Sequence, residues 1–191
     1  MQYLVFGKVT SFFDILKTMD KIKLFVPLGT QKFPFGRIII ALNRLVEQGE
    51  YKPEEIVMQS ALYPVKPNFT AFGLIPNEDF NHYMEEAEVI VTHSGVNSII
   101  SSMEMGKPLV ICPRLHEYGE HVDNHQMEIA TLMHDKYDVL VCTDMKDLPN
   151  LIKQSKTHKY KHWVSHKKEL LSTITVSYTH LRAHETLRHL V

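Results

Sequence analysis

The residues best suited to chemistry in this chain are compressed into six positions, His93-Ser94-Gly95-Val96-Asn97-Ser98. Short polar side chains of this kind add hydrogen-bond donors without bulk, and glycine lets a ligand approach the main chain closely. They follow an apolar run, Val89-Ile90-Val91, and open a segment of helical character that ends at Gly106-Lys107-Pro108. A strand, a tight turn and a helix in that order aim the free N–H groups of the first helical turn at the open edge of a sheet. Unpaired donors and the positive end of the helix dipole then converge, which suits an anion and above all a phosphate.

The elements that must hold this turn alternate along the chain. A strand is expected at Ile22–Leu28, ended by the turn Gly29-Thr30-Gln31. Pro34 suits a first helical turn, and Phe35 to Glu47 carries Ile38, Ile39, Leu42, Leu45 and Val46 at helical spacing. Further strands are expected at Ile56–Met58, near Phe72, at Leu109–Cys112 and at Tyr137–Cys142. Helices are expected from Asn77 to about Ala87, from His121 to His134 and from Asp144 to Gln154. Strands alternating with helices predict an α/β fold with a doubly wound parallel sheet, whose ligands bind beyond the carboxyl ends of the strands. Gly29-Thr30, the 93–98 turn and Pro113-Arg114 with its following loop converge on that edge.

Composition narrows the function. A formal net charge of −1 gives no electrostatic footprint for nucleic acid. The two cysteines, Cys112 and Cys142, sit in apolar runs and read as buried reduced thiols rather than a disulfide or metal site. No run approaches the roughly 20 apolar residues that span a bilayer, and residues 1–13 lack the basic start and cleavage site of a signal peptide. His121 and His125 are spaced i, i+4 with Asp123 between them, but two histidines without a third converging ligand make a poor metal site.

The ends differ from the middle. Residues 1–18 read as an N-terminal extension, with Met19 offering a second start, and the domain proper as residues 19–156. Residues 157–175 are basic and suggest a terminal helix; the stretch Lys153 to Lys168 would suit an anionic membrane surface, a partner or plain solvent. Residues 176–191 shift abruptly in composition and read as a non-native tail, so their histidines carry no metal argument.

His93-Ser-Gly-Val-Asn-Ser98, Glu104-Met-Gly-Lys-Pro108, Pro113-Arg114 and Glu120-His-Val-Asp-Asn-His-Gln126 together resemble the C-terminal, UDP-sugar-binding half of GT-B glycosyltransferases, closest to family 28. The resemblance covers roughly Lys21 to Asn150. Within that family the chain is similar to the small catalytic subunits of two-subunit enzymes, the eukaryotic dolichol-linked GlcNAc transferase and bacterial capsule or exopolysaccharide counterparts.

The resemblance implies a single Rossmann-like half of a GT-B enzyme. It implies that Gly29, Thr30, His93, Ser94, Gly95, Asn97 and Ser98 face the diphosphate. Asp123 and Gln126 would read sugar hydroxyls, and Arg114 with its loop would border uracil and ribose. Many GT-B enzymes place a ribose-binding Glu eight residues after the motif histidine; here that position is Ser101, and Glu104 lies one turn further on.

The implied reaction is a metal-independent, inverting transfer of galactose or GlcNAc from a UDP-sugar to a lipid-linked acceptor in surface polysaccharide synthesis, with β-1,4-galactosyl transfer the common assignment among the bacterial relatives. No Asp-x-Asp motif is present to hold a metal-bound diphosphate, no cofactor is implied, and His93 is the candidate for stabilising the leaving group. The chain is too short to contain the other GT-B half, which supplies the base. A membrane-anchored partner subunit is therefore expected to bring the base and the lipid-linked acceptor, holding this chain at the cytoplasmic face of the membrane. The rival readings are a hexosamine 2-epimerase, which requires a full two-domain chain, and a non-catalytic nucleotide-sugar sensor or scaffold.

Overall fold

The structure, a computed structural model, describes residues 3–5, 8–10 and 21–161. Two short strands, β1 (Tyr3–Val5) and β2 (Lys8–Thr10), pair antiparallel and form a sheet of their own. The rest alternates strand and helix: β3 (Leu24–Pro27), α1 (Gly36–Glu47), β4 (Ile56–Gln59), β5 (Thr70–Phe72), α2 (Asn77–Glu86), β6 (Val89–Thr92), α3 (Val96–Glu104), β7 (Leu109–Ile111), α4 (His125–Tyr137), β8 (Leu140–Val141) and α5 (Leu148–Ser155). The six strands β3–β8 form one parallel sheet in the order β5-β4-β3-β6-β7-β8. Numbered within the sheet this is 3-2-1-4-5-6, the doubly wound Rossmann order, and the winding reverses between β3 and β6.

Helices cover both faces, which is why the strands read as unbroken apolar runs. Leu24 and Val26 of β3, Val89 and Val91 of β6 and Val110 of β7 pack with Ile38, Leu42 and Leu45 of α1 and Leu148 and Ile152 of α5. The alternate positions Phe25, Ile90, Leu109 and Ile111 pack with Tyr83 and Met84 of α2, Ile99 and Met103 of α3 and Ile129 and Met133 of α4. Cys112 and Cys142 are free, buried thiols at the ends of neighbouring strands.

Proline at the end of a central strand is unusual and here has a use. β3 and β6 pair only at Leu24–Val89 and Phe25–Ile90. The Pro27 carbonyl points toward β6 and accepts the buried Thr92 hydroxyl at 2.8 Å. The proline has no N–H to offer on that side, so the ladder stops there and the strands part. Leu28 continues the ladder to β4 through Gln59 at 2.8 Å. The crevice at the winding reversal thus starts from one residue type.

Several boundaries differ from those expected. Pro34 precedes α1 rather than opening it, with Phe35 as the flanking residue. α4 begins at His125, not His121, because Asp123 accepts both the His125 N–H at 3.1 Å and the His121 ring at 2.8 Å and so fixes a turn. His121 and His125 therefore do not share a helix face. α4 also runs on to Tyr137 and ends on Asp138 in the left-handed conformation (φ 62°), which leaves β8 only two residues. Residues 144–147 are turns, so α5 starts at Leu148. Residues 157–161, expected within a terminal helix, are not helical; the remainder of that stretch and residues 176–191 lie outside the described residues.

Candidate functional site

A cleft of about 480 Å³ opens at the winding reversal. Its floor is the turn after β3 (Gly29, Thr30, Gln31) and the turn and helix start after β6 (His93, Gly95, Val96, Asn97, Ser98). Gly95 is the residue flanking α3, and no side chain caps the helix. A glycine there leaves the first N–H groups of α3 open toward the cleft. The buried Ser94 hydroxyl has no partner either. Donors without partners, aligned with a helix dipole, make this an anion cradle.

The ring of His93 is held between two glycines. A Cβ on Gly29 would lie 2.6 Å from its Nε2, and one on Gly95 would lie 2.4 Å from its Cε1. Gly29 also carries a left-handed φ of 77° that a side chain would strain. Burial lowers the His93 pKa to about 4, the Arg114 guanidinium lowering it further and the Gln126 amide opposing. Gln126 lies alongside the ring without forming a good hydrogen bond to the buried Nδ1, which has no partner. At neutral pH the ring is neutral, so any part it takes in holding an anion would rest on hydrogen bonding and not on charge.

A pH dependence follows. The unfolded chain protonates at the ordinary value near 6.5, before the folded ring does. The stability contributed by a neutral buried His93 is therefore complete above pH 6.5 and disappears as the pH falls toward 4. It amounts to about 3 kcal/mol at most. Thermal denaturation across that window should lose stability more steeply in the wild type than in His93→Gln; equal slopes would contradict a neutral buried ring.

Arg114 takes a different position from the ligand-bordering one expected. It is 1% exposed, and its guanidinium donates to the Phe33 carbonyl at 2.6 Å and the Leu28 carbonyl at 2.9 Å while stacking over Phe35. Burial lowers its pKa to about 10, so the charge persists at neutral pH. It braces the β3 turn and lends positive potential to the cradle from behind. The buried Gln126 side-chain oxygen accepts the Arg114 N–H at 3.1 Å, tying the start of α4 to the end of β7. Asp123 is half-exposed on the loop before α4, bonded to His121. Neither Asp123 nor Gln126 lines the cleft itself. Ser101 and Glu104 do not line it either: Glu104 is the exposed last residue of α3, roughly 10 Å along the helix from Asn97.

Other lining residues escape sequence reasoning. Leu74, Ile75 and Phe80 form an apolar end beyond β5, with Gln59 and Asn77 beside them. Leu74 is 64% exposed, and an apolar residue left open in a polar loop is the signal that marks it. A larger neighbouring cleft of about 810 Å³ lies against α1 and the loops after β7 and β8. Of its two lining cations, Arg37 is committed to Glu120 and to the Thr143 and Pro113 carbonyls, and the other is Lys146. Among the described residues no group of three or more His, Cys, Asp or Glu side chains is placed to hold a metal ion.

The same order of motifs that builds this cradle matches the family model for the glycosyltransferase family 28 C-terminal domain over residues 24–175. The chain belongs to glycosyltransferase family 28. The human UDP-N-acetylglucosamine transferase subunit ALG13 is 26% identical to it over 137 residues, which is 70% of this chain and 10% of the human protein. The Candida albicans protein of the same name is 28% identical over 83 residues, 44% of this chain and 27% of its own length. The chain thus spans a minor part of the curated relatives it matches. Among solved structures, the solution structure of ALG13 superposes with a TM-score of 0.53 at 18% identity, over 81% of this chain and 96% of that one. An Arabidopsis thaliana enzyme, UGT89C1, solved with UDP-L-rhamnose, superposes at 0.51 and 14% identity, over 85% of this chain and 40% of that one. These likenesses place the family 28 chain in the GT-B fold.

Proposed function

We propose that this chain binds a UDP-sugar along the carboxyl edge of its sheet and acts as the donor-binding subunit of an inverting glycosyltransferase. The observation that carries the proposal is the uncapped start of α3 at Gly95, facing the Gly29 turn with His93 held between them. The diphosphate would sit on the free N–H groups of α3 and the flat base against Leu74, Ile75 and Phe80. As the bond to the anomeric carbon breaks, charge grows on the diphosphate, and fixed N–H dipoles with the buried Arg114 charge behind them stabilise it without reorganising.

The attacking hydroxyl also needs a base. No carboxylate lines the described cleft, and a histidine with a pKa of about 4 is a weak base at neutral pH. That supports a base supplied by a partner subunit, together with a lipid-linked acceptor. No helix among the described residues is long and apolar enough to cross a membrane, in keeping with membrane contact through such a partner. The relatives are named UDP-N-acetylglucosamine transferase subunits, which favours N-acetylglucosamine as the transferred sugar. Nothing in the relatives' names favours the galactosyl, β-1,4 or surface-polysaccharide assignment, so UDP-galactose enters the test as a competitor.

The test is a transfer assay with UDP-N-acetylglucosamine, UDP-glucose and UDP-galactose on a lipid-diphosphate-linked saccharide, with and without a membrane partner. Transfer from UDP-N-acetylglucosamine that depends on the partner is expected. UDP binding with no transfer from any donor would instead leave a nucleotide-sugar sensor. His93→Ala and Asn97→Ala together should weaken UDP binding more than tenfold by calorimetry, and unchanged affinity would remove the cradle from the reading.

A further inference from the structure

The ends of four neighbouring strands form a ruler across the cleft. Leu74 and Ile75 follow β5, Gln59 ends β4, Gly29 follows β3 and His93 follows β6, and β5-β4-β3-β6 is their order in the sheet. Neighbouring strands lie about 4.8 Å apart, so the ruler is about 14 Å long. With the diphosphate over β3 and β6 and the base beyond β5, the sugar ring joining them lies over β4.

The residue there is Gln59. It is 4% exposed, lines the cleft, and donates from Nε2 to the Gly29 carbonyl at 3.2 Å. That donation fixes which way the amide faces, because only the NH₂ end can meet a carbonyl. No hydrogen bond among the described residues engages Oε1, which is left as an uncommitted acceptor at the cleft wall. A ribose presents vicinal hydroxyls, each a donor. The position where a ribose-binding Glu is common holds Ser101, which does not line the cleft, and neither does Glu104.

We propose that Gln59 reads the ribose of the bound nucleotide, its Oε1 accepting a hydrogen bond from a 2′ or 3′ hydroxyl while Nε2 holds the Gly29 turn in place. This deepens the nucleotide-sugar reading and rests on it. A single side chain would then couple the shape of the phosphate cradle to recognition of a ribonucleotide.

The experiment is calorimetry of the full chain with UDP, 2′-deoxy-UDP and 3′-deoxy-UDP. The wild type is expected to bind UDP about tenfold more tightly than at least one of the deoxy forms. Gln59→Leu, similar in size and without the acceptor, should bring that ratio to near one. Gln59→Glu keeps an acceptor oxygen and loses the donor to Gly29, so it should weaken all three ligands while keeping the ratio. An amide spectrum of each variant checks the fold. A wild type that does not discriminate, or a Gln59→Leu that weakens all three ligands with the ratio intact, overturns the ribose role and leaves the donor site standing. A wild type that binds none of the three overturns both.

Discussion

Replacing Gly95 with alanine is expected to lower UDP affinity at least a hundredfold and, through overpacking, to cost about 1–3 kcal/mol of stability. The backbone of Gly95, at φ −74° and ψ 114°, suits alanine, so the substitution introduces no main-chain strain. Its effect comes from the added methyl group, which would lie 2.4 Å from Cε1 and 2.6 Å from Nε2 of His93. The ring has little room to retreat toward Gly29, where even an added Cβ would lie 2.6 Å from its Nε2. Either the imidazole swings into the space for the diphosphate or the start of α3 moves away from it. A hundredfold loss corresponds to about 2.7 kcal/mol, comparable with one or two lost hydrogen bonds to a charged group. Calorimetry with UDP measures it. The double variant His93→Ala/Gly95→Ala should recover part of the loss, since the methyl then fills the space left by the ring. Wild-type affinity in Gly95→Ala would show that the ring is not confined there.

The second large effect concerns stability. Glu120→Ala should destabilise the domain by about 3 kcal/mol and lower its melting temperature by roughly 10 °C. The Glu120 carboxylate is buried, receives the Arg37 Nε–H at 2.9 Å on both oxygens and accepts the Leu115 N–H at 3.1 Å. Removing it strands a partly buried guanidinium and a main-chain donor together. Burial pushes the Glu120 pKa up while those same donors pull it back, so the pair has to be lost as a pair. Urea denaturation of Glu120→Ala, Glu120→Gln and Arg37→Met/Glu120→Leu separates the contributions. The glutamine should lose less than the alanine, and the apolar double variant should recover most of the stability. A loss below about 1 kcal/mol for Glu120→Ala would reduce the pair to an ordinary surface contact.

The fold was legible where burial leaves a continuous mark. Val89-Ile-Val and Leu109-Val-Ile are apolar on both faces because helices cover both faces. The cradle was legible for a related reason: the glycine and short polar residues that an uncapped helix start requires are consecutive, from His93 to Ser98. What sequence could not reveal depends on distant partners. Asp123 looks helical by position and instead builds a turn by accepting two nearby N–H groups. Arg114 looks like a ligand-facing cation and instead donates from its two terminal nitrogens to carbonyls 81 and 86 residues away. Gln59 carries no motif at all; its place in the cleft comes from strand order and from a carbonyl 30 residues earlier.

The Arg114 brace also bears on the order in which the nucleotide site comes into being during synthesis. Both cradle turns lie before residue 99, yet the guanidinium that fixes the first of them arrives only after β7, on a contact spanning 86 residues. Closing so long a loop costs chain entropy before any contact rewards it. A nascent chain extending through α3 would carry every cradle residue and still hold the Gly29 turn unbraced, with the strongest local positive charge missing. On the proposed reading, nucleotide capture would belong to the completed sheet, and retention on a UDP column would select molecules in which β7 has docked.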